Sequence, residues 1–305
     1  MTRLVQISIV RNEQDVIEAN LRHHRNLGVA AAAVIDNGSS DGTPEILEDL
    51  ARRMDLVVIR KDCIAKHDLS WREELLSVAR DVLQGDWIVP VDADEFWMPP
   101  GGDLHTVLDD SVGVLEARRD NVLPGAGIDQ EDLGDFRHSV LRVRQPFPVQ
   151  AWKAFATGAD DCVPDHPILM SEIRPKVLCR LEGLIELGYG FHEARHAEGT
   201  RKLPDSCRLL HFPVRSFEQF RAKVQAHARS HGLAWHNEDP TRSWHLKYWN
   251  RLRNEGRLEA EYRSFFLPRE RRLTFHQLGV LDVLVPHPLA VEAPMAAPRE
   301  MTAEF

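Results

Sequence analysis

The chain has 305 residues, 43% hydrophobic and 28% charged, which is enough apolar material for one large globular domain or two smaller ones. A formal net charge of −9 argues against a general nucleic-acid binder, whose phosphate contacts need a basic surface. Residues 1–10, "MTRLVQISIV", are too short and polar for a signal peptide, and no run approaches the roughly 20 apolar residues of a membrane span, so the chain is expected in the cytoplasm. Cys63, Cys162, Cys179 and Cys207 form no close pair, so reduced, mostly buried thiols are expected rather than a disulfide framework or a zinc ribbon.

The first 120 residues alternate between two periodicities. "RLVQISIV" reads as a strand, and "EQDVIEANLRHHRNLG" as an amphipathic helix stopped by Gly28, with His23, His24 and Arg25 forming a polar face. "AAAVID" is a second strand. After the loop "NGSSDGT", Thr43 and Pro44 supply an N-cap and first-turn pair for a helix to about Arg53. "LVVIR" is a third strand, a helix from about Ser70 to Leu83 follows, and "WIVPV" is a fourth strand in which Pro90 is the one discordant residue. Strand and helix alternating at this spacing predict an α/β fold, a Rossmann-like, mostly parallel sheet with helices on both faces. Near the C terminus, residues 243–257 read as a helix that packs its Trp and Leu residues and displays Arg and Lys; a second reading makes it a contact with an anionic acceptor or a membrane surface. The end, "HPLAVEAPMAAPREMTAEF", has the aperiodic Pro/Ala character of a loose tail.

In such sheets ligands bind at the carboxyl ends of the strands. Three loops are therefore expected to face one crevice: "VRNE" after strand one, "DNGSSDGT" after strand two and "DADE" after strand four. An Asp-x-Asp triplet arises about twice by composition alone, so position and not pattern carries the reading. Paired carboxylates at a strand end can hold a hard divalent cation, and that cation can neutralise a diphosphate. A competing motif is "HEARH", residues 192–196, which satisfies the His-Glu-x-x-His pattern of zinc hydrolases and is expected by chance only about 0.05 times. It needs a helix, yet Gly188 and Gly190 precede it, and Lys202 stands where an extended motif places its third ligand.

Residues 4–98, with "IVRNEQDVIEANLRHHRNLGV", "VIDNGSSDGT" and "GDWIVPVDADEFW", resemble in order and spacing the family 2 type glycosyltransferases of the nucleotide-diphospho-sugar transferase (GT-A) fold, and most of all the bacterial subgroup with an Asp-x-Asp-Glu-Phe motif. "LLHFPVRSFEQFRAKV", residues 209–224, is similar to a later segment of that subgroup. The resemblance implies a sugar nucleotide donor, a carbohydrate or glycolipid acceptor of surface polysaccharide synthesis, Mn²⁺ or Mg²⁺, and inversion. It implies that Val10, Arg11, Asn12, Glu13 and Asp36 line the nucleoside pocket, that Asp92 faces the ribose or a metal-bound water, and that Asp94 ligates the metal. Arg72 stands in for the phosphate-binding pair that many relatives carry on the preceding helix. His211 is the expected third metal ligand, with His192 in reserve. Glu193 is the first choice of general base, ahead of Asp165 and Glu95, the last of which has an alternative role in ordering the metal loop. The expected organisation is a donor half over 1–118, an acceptor half over 119–215, a helical region over 216–285 and a flexible tail over 286–305. Two other readings are a zinc metallohydrolase built on residues 192–196 and a nucleotide-sugar-binding relative without turnover.

Overall fold

A computed structural model describes residues 2–61, 68–125, 127, 136–231 and 243–284; the expected tail and Cys63 lie outside the described residues. In chain order the elements are β1 (Leu4–Val10), α1 (Ile17–Asn26), β2 (Ala31–Asp36), α2 (Thr43–Ala51), β3 (Leu56–Arg60), α3 (Asp68–Ser77), β4 (Trp87–Pro90), β5 (Glu95–Met98), β6 (Val114–Leu123), β7 (Leu141–Val143), α4 (Gln150–Thr157), β8 (Lys176–Arg180), β9 (Leu184–Leu187), β10 (Ala194–His196), β11 (Thr200–Lys202), β12 (Arg208–His211), α5 (Phe217–His231), α6 (Trp244–Asn254), α7 (Leu258–Ser264), α8 (Arg269–Gln277) and β13 (Leu281–Val283).

The main sheet runs β13-β7-β6-β8-β4-β1-β2-β3, with β11 and β12 beside β6 and β5 beside β12. Strands β3, β2, β1 and β4 are mutually parallel. All six residues of β2, "AAAVID", are buried, as a strand covered on both faces by helices requires. One cover is α1 with α2, where Ile17, Leu21 and Leu47 pack on Val34. The other is α3, where Trp71 and Leu75 pack on Ile7 and Ile35. Beyond β4 the sheet becomes mixed: β8 is antiparallel to both β4 and β6. Pro90 is the last residue of β4, opposite Ile7, and ladder bonding resumes at Val91, whose N–H donates to the Ile7 carbonyl at 3.1 Å. The missing proline donor thus falls where the strand gives way to the acidic loop.

Two local expectations change. Thr43 does not cap α2; its hydroxyl accepts the Glu13 N–H at 2.8 Å and so ties the loop after β1 to the helix after β2. His24 is not on a polar face. It is fully buried, its Nδ1–H donates to the Asn20 carbonyl and its Nε2 accepts the Trp97 N–H, while His23 bonds the Trp97 carbonyl, so the pair fastens α1 to β5.

Helices α5 to α8 pack in one apolar cluster with the far end of β6 and β7, joining Phe220, Trp249, Phe265 and Phe275 to Leu123, Leu141 and Trp152. α6 buries Leu246, Tyr248, Trp249 and Leu252, in line with the packing reading of residues 243–257. Among the described residues no helix is long and apolar enough to cross a membrane. Cys179 and Cys207 are buried and Cys162 is exposed, all three free.

Candidate functional site

The loops after β1 and β2 are knitted to each other. Asn12 takes a left-handed backbone conformation, φ +55°, which asparagine tolerates. In that turn its N–H donates to Ser39 Oγ at 2.9 Å and its Oδ1 accepts the Ser40 N–H at 2.8 Å. Asp36, at the carboxyl end of β2, is 3% exposed and accepts the Ser39 N–H at 3.0 Å through Oδ1. Val10, Asn12, Glu13 and Asp36 are thereby brought together at one strand-end crevice. Arg11 sits in the same turn with its buried Nε unpaired.

The acidic loop is set by α1 and by a distant strand. Asn20 Nδ2 donates to the carbonyls of Asp92 and Glu95, at 3.2 and 2.7 Å. β5 pairs antiparallel with β12, putting His211 opposite Glu95, and the Phe212 N–H donates to the Asp94 carbonyl at 2.8 Å. Two segments more than a hundred residues apart thus share one register. The Asp94 carboxylate is almost fully buried, with its Oδ2 3.0 Å from Lys223 Nζ and 3.6 Å from both Arg215 Nη1 and His211 Nε2. Burial opposes its ionisation, yet the charges of Lys223 and then Arg215 hold its carboxyl well below the usual range.

The protonation of His211 follows from its neighbours. Asn121 Nδ2 donates to the Leu169 carbonyl at 2.8 Å, which can only accept, so Asn121 Oδ1 is the atom 2.7 Å from His211 Nδ1. Nδ1 therefore carries the proton, and burial keeps the ring neutral by pushing its pKa down against the pull of Asp94. Nε2 then turns a lone pair toward Asp94 at a distance too long for a hydrogen bond. Two acceptors facing each other, one backed by an amide that fixes its tautomer, form the donor pair that a divalent cation takes. Among the described residues no three His, Cys, Asp or Glu side chains converge into a cage. Mg²⁺ and Mn²⁺ are commonly held by one or two protein groups and completed by phosphate and water, so Asp94 and His211 fit the cation expected from the sequence.

The structure does not bring Asp92 into that pair. Its Oδ2 lies 2.8 Å from Lys176 Nζ, and the same ammonium is 3.0 Å from Glu95 Oε2. Glu95 is fully buried; it also accepts from Arg119 at 2.6 Å and from the Asp92 N–H at 2.9 Å, which fits the ordering role for Glu95. Arg72 is buried with its guanidinium on the Leu187 carbonyl. Glu193 is largely exposed beside Arg174, at 3.2 Å. Its neighbour His192 is bonded to the Pro175 carbonyl and pushed down to about 3 by burial, and then by the charges of Arg119 and Lys176. Asp165 is 94% exposed and held by Arg271 on α8 at 2.8 Å.

Residues 192–196 do not form a helix; they pass from a single tight turn into the short strand β10. The two histidines are therefore not one helical turn apart. His196 donates from Nε2 to the Glu182 carbonyl at 2.7 Å and accepts the Glu198 N–H on Nδ1 at 3.0 Å, so both ring nitrogens are occupied by backbone.

Sequence reading missed the cations. Arg119, Lys176, Arg215 and Lys223 surround the acidic loop, and none was assigned a role from the sequence, because a basic residue on a strand or helix reads as a solvated face. The one available signal was Lys176 inside an apolar stretch, "RPKVLC".

No family model matches the chain, and no curated protein matches it. Among solved structures it is similar to S. aureus TarS, at 14% identity over 82% of this chain and 43% of that chain, with a TM-score of 0.42. It is also similar to TarS 1–349 in complex with UDP-GlcNAc, at 12% identity over 93% of this chain and 97% of that chain, TM-score 0.42. A third likeness is glucosyl-3-phosphoglycerate synthase from Mycobacterium tuberculosis with Mn²⁺, UDP and glucosyl-3-phosphoglycerate, at 14% identity over 59% and 57% of the two chains, TM-score 0.31. The chain spans under half the length of the first of these, and identities and TM-scores this low assign it neither family nor activity.

Proposed function

We propose that this chain is a GT-A type glycosyltransferase that moves a sugar from a nucleotide-diphospho-sugar to the hydroxyl of a carbohydrate or glycolipid, with inversion and with the help of Mn²⁺ or Mg²⁺. The observation that carries the reading is the pairing of the Asp94 carboxylate with the unprotonated Nε2 of His211, tied through Arg215 to Glu13 in the loop after β1. When bound, the cation supplies Lewis-acid stabilisation of the departing diphosphate. Asp36, with Oδ1 occupied by Ser39, keeps a second carboxylate oxygen to accept a hydrogen bond from the base. Among the described residues Arg215 Nη1, 3.6 Å from Asp94, and Arg119 Nε are buried donors with no acceptor at hydrogen-bond distance, and a phosphate oxygen is a group that satisfies such donors. In this reading residues 1–118 bind the donor, 119–215 face the acceptor, and 216–285 complete the site from outside the sheet.

An acceptor hydroxyl has to lose its proton as it attacks, so a carboxylate must stand opposite the leaving group. Glu193 is the first candidate: its carboxylate is exposed, paired with Arg174 at 3.2 Å, and it follows His192, which feels the charges of Lys176 and Asp92. The test is a panel of UDP, GDP, CDP and dTDP sugars with Mn²⁺, read first as thermal shift and then as donor hydrolysis and transfer. One nucleotide should bind in a manner lost with EDTA and in Asp94→Ala. Glu193→Gln should lower kcat by about a hundredfold or more, the scale of general-base assistance, with nucleotide affinity unchanged. Metal-independent binding of every nucleotide, or none at all, removes the transferase reading.

A further inference from the structure

Asp94 Oδ2 has three nitrogen neighbours, and they differ in how freely they can leave. His211 is locked by Asn121. Arg215 has a fully buried side chain whose Nε and Nη2 are bonded to Asp15 at 2.7 and 3.0 Å and whose Nη2 is also paired with Glu13, so its planar fork cannot turn without breaking several ion pairs. Lys223 is different: its side chain is 30% exposed, it hangs on a flexible four-carbon stem from α5, and its single hydrogen bond among the described residues is the one to Asp94, at 3.0 Å.

Charge says what happens when a metal arrives. The cluster sets three carboxyl groups, Glu13, Asp15 and Asp94, against two cations, Arg215 and Lys223. One side chain of +1 thus serves a buried carboxylate that would otherwise face only the engaged Arg215. A divalent ion on the same oxygen would lie no more than about 5 Å from the ammonium, close enough for like charges in a poorly solvated site to repel. The ammonium must yield. Its side chain is 30% exposed and can swing toward solvent; by the same count the site with Arg215 and a divalent ion would be neutral, and the displaced ammonium would add the one positive charge that a polyanion can meet.

We propose that Lys223 is a stand-in counterion that holds Asp94 until a divalent cation displaces it, after which its ammonium binds the diphosphate of the donor. The assignment of the diphosphate rests on the transferase reading above; the displacement does not. Lys223 is a positioning residue for the empty site and a binding residue for the loaded one, so one substitution acts on two ligands in opposite directions.

The experiment uses the full chain at pH 8 with Lys223→Met, Lys223→Arg and wild type, each first checked for a cooperative thermal transition. Free Mn²⁺ is titrated by electron paramagnetic resonance without nucleotide, and inorganic pyrophosphate, UDP and GDP are then titrated by calorimetry at saturating Mn²⁺. Lys223→Met should bind Mn²⁺ alone about tenfold more tightly, since its competitor is gone, and diphosphates about tenfold more weakly, the scale of one charge-assisted contact. Lys223→Arg, which keeps the charge, should stay near wild type for Mn²⁺. Unchanged or weaker Mn²⁺ binding in Lys223→Met overturns the displacement, and unchanged diphosphate affinity overturns the second role. Tighter Mn²⁺ binding in Lys223→Met, with no protein form binding pyrophosphate, UDP or GDP, leaves the displacement standing and overturns the diphosphate role together with the donor reading. If Lys223→Met does not fold, Lys223→Gln replaces it with the same expected signs.

Discussion

Lys176 decides how the acidic loop is held. Its side chain is entirely buried, and its ammonium bridges Asp92, Glu95 and the Gly190 carbonyl. A buried ion pair is costly to break because the surviving charge stays desolvated. Lys176→Met should therefore lower the unfolding free energy by about 3 kcal/mol in urea denaturation, the low end of the range for a broken buried pair, because Arg119 still faces Glu95. Glu95→Gln should cost less in the Lys176→Met background than in the wild type, since there the carboxylate has already lost one of its two cations, Lys176, and keeps only Arg119. A double variant as unstable as the sum of its parts would mean that Lys176 acts by packing instead. The same logic separates Glu95 from Asp94: Glu95 is fully occupied by fixed partners, whereas Asp94 keeps one partner that can move.

At the scale of elements, the segment 192–196 shows how a motif fails when its secondary structure is wrong. The His-Glu-x-x-His pattern has chemical meaning only on a helix, where residues four apart share a face. Here the last three of the five residues form β10, antiparallel to β9, and the His196 ring lies against Gly113, where an added Cβ would come within 1.8 Å of Nδ1. His196 is thus a bracket between β10, the turn before β9 and the start of β6. His196→Ala should cost about 2–4 kcal/mol in stability, because it opens a cavity and leaves the Glu182 carbonyl and Glu198 N–H unpaired. It should leave Mn²⁺ affinity unchanged. Bound zinc lost in this variant would contradict that assignment. β12 is the converse case: its pairing with β5 carries His211 to the acidic loop, so a short strand does what a motif cannot.

For the whole molecule, buried histidines set the response to acid. Burial holds His24 well below its ordinary value, and holds His245 at about 4 and His192 at about 3. Below pH 6.5 the unfolded chain takes up protons on these three residues while the folded chain does not, so stability falls with pH. Glu13 works in the opposite sense: raised to about 7, it is protonated in the folded state between that value and the unfolded 4.5. Counting His24, His192 and His245 against Glu13, three protons against one leave a net difference of two, a slope approaching about 3 kcal/mol per pH unit between pH 6 and 4.5, to which His166 and His211, also lowered by burial, add in the same direction. Urea denaturation in EDTA at pH 7 and pH 5 should show this loss, and Glu13→Gln should make it steeper by removing the opposing group. Equal stability at the two pH values would show that the histidines titrate normally.

The sequence by itself determined the four parallel strands, the helices between them, and the three loops that meet at the strand ends, because hydrophobic period and turn residues act within about fifteen positions of one another. The strand-end positions of Asp36, Asn12 and Asp94 were legible for that reason. Only the tertiary structure decided which charges face one another. The antiparallel turn of the sheet at β8, the register of β12 on β5 and the docking of α5 bring Lys176, His211 and Lys223 to Asp92, Glu95 and Asp94 from 81 to 129 positions away in the chain. Burial separates the roles further. The same carboxylate is a metal ligand, a loop brace or a surface acid according to the cations beside it and the water left around it, and neither of these is a property of the local sequence.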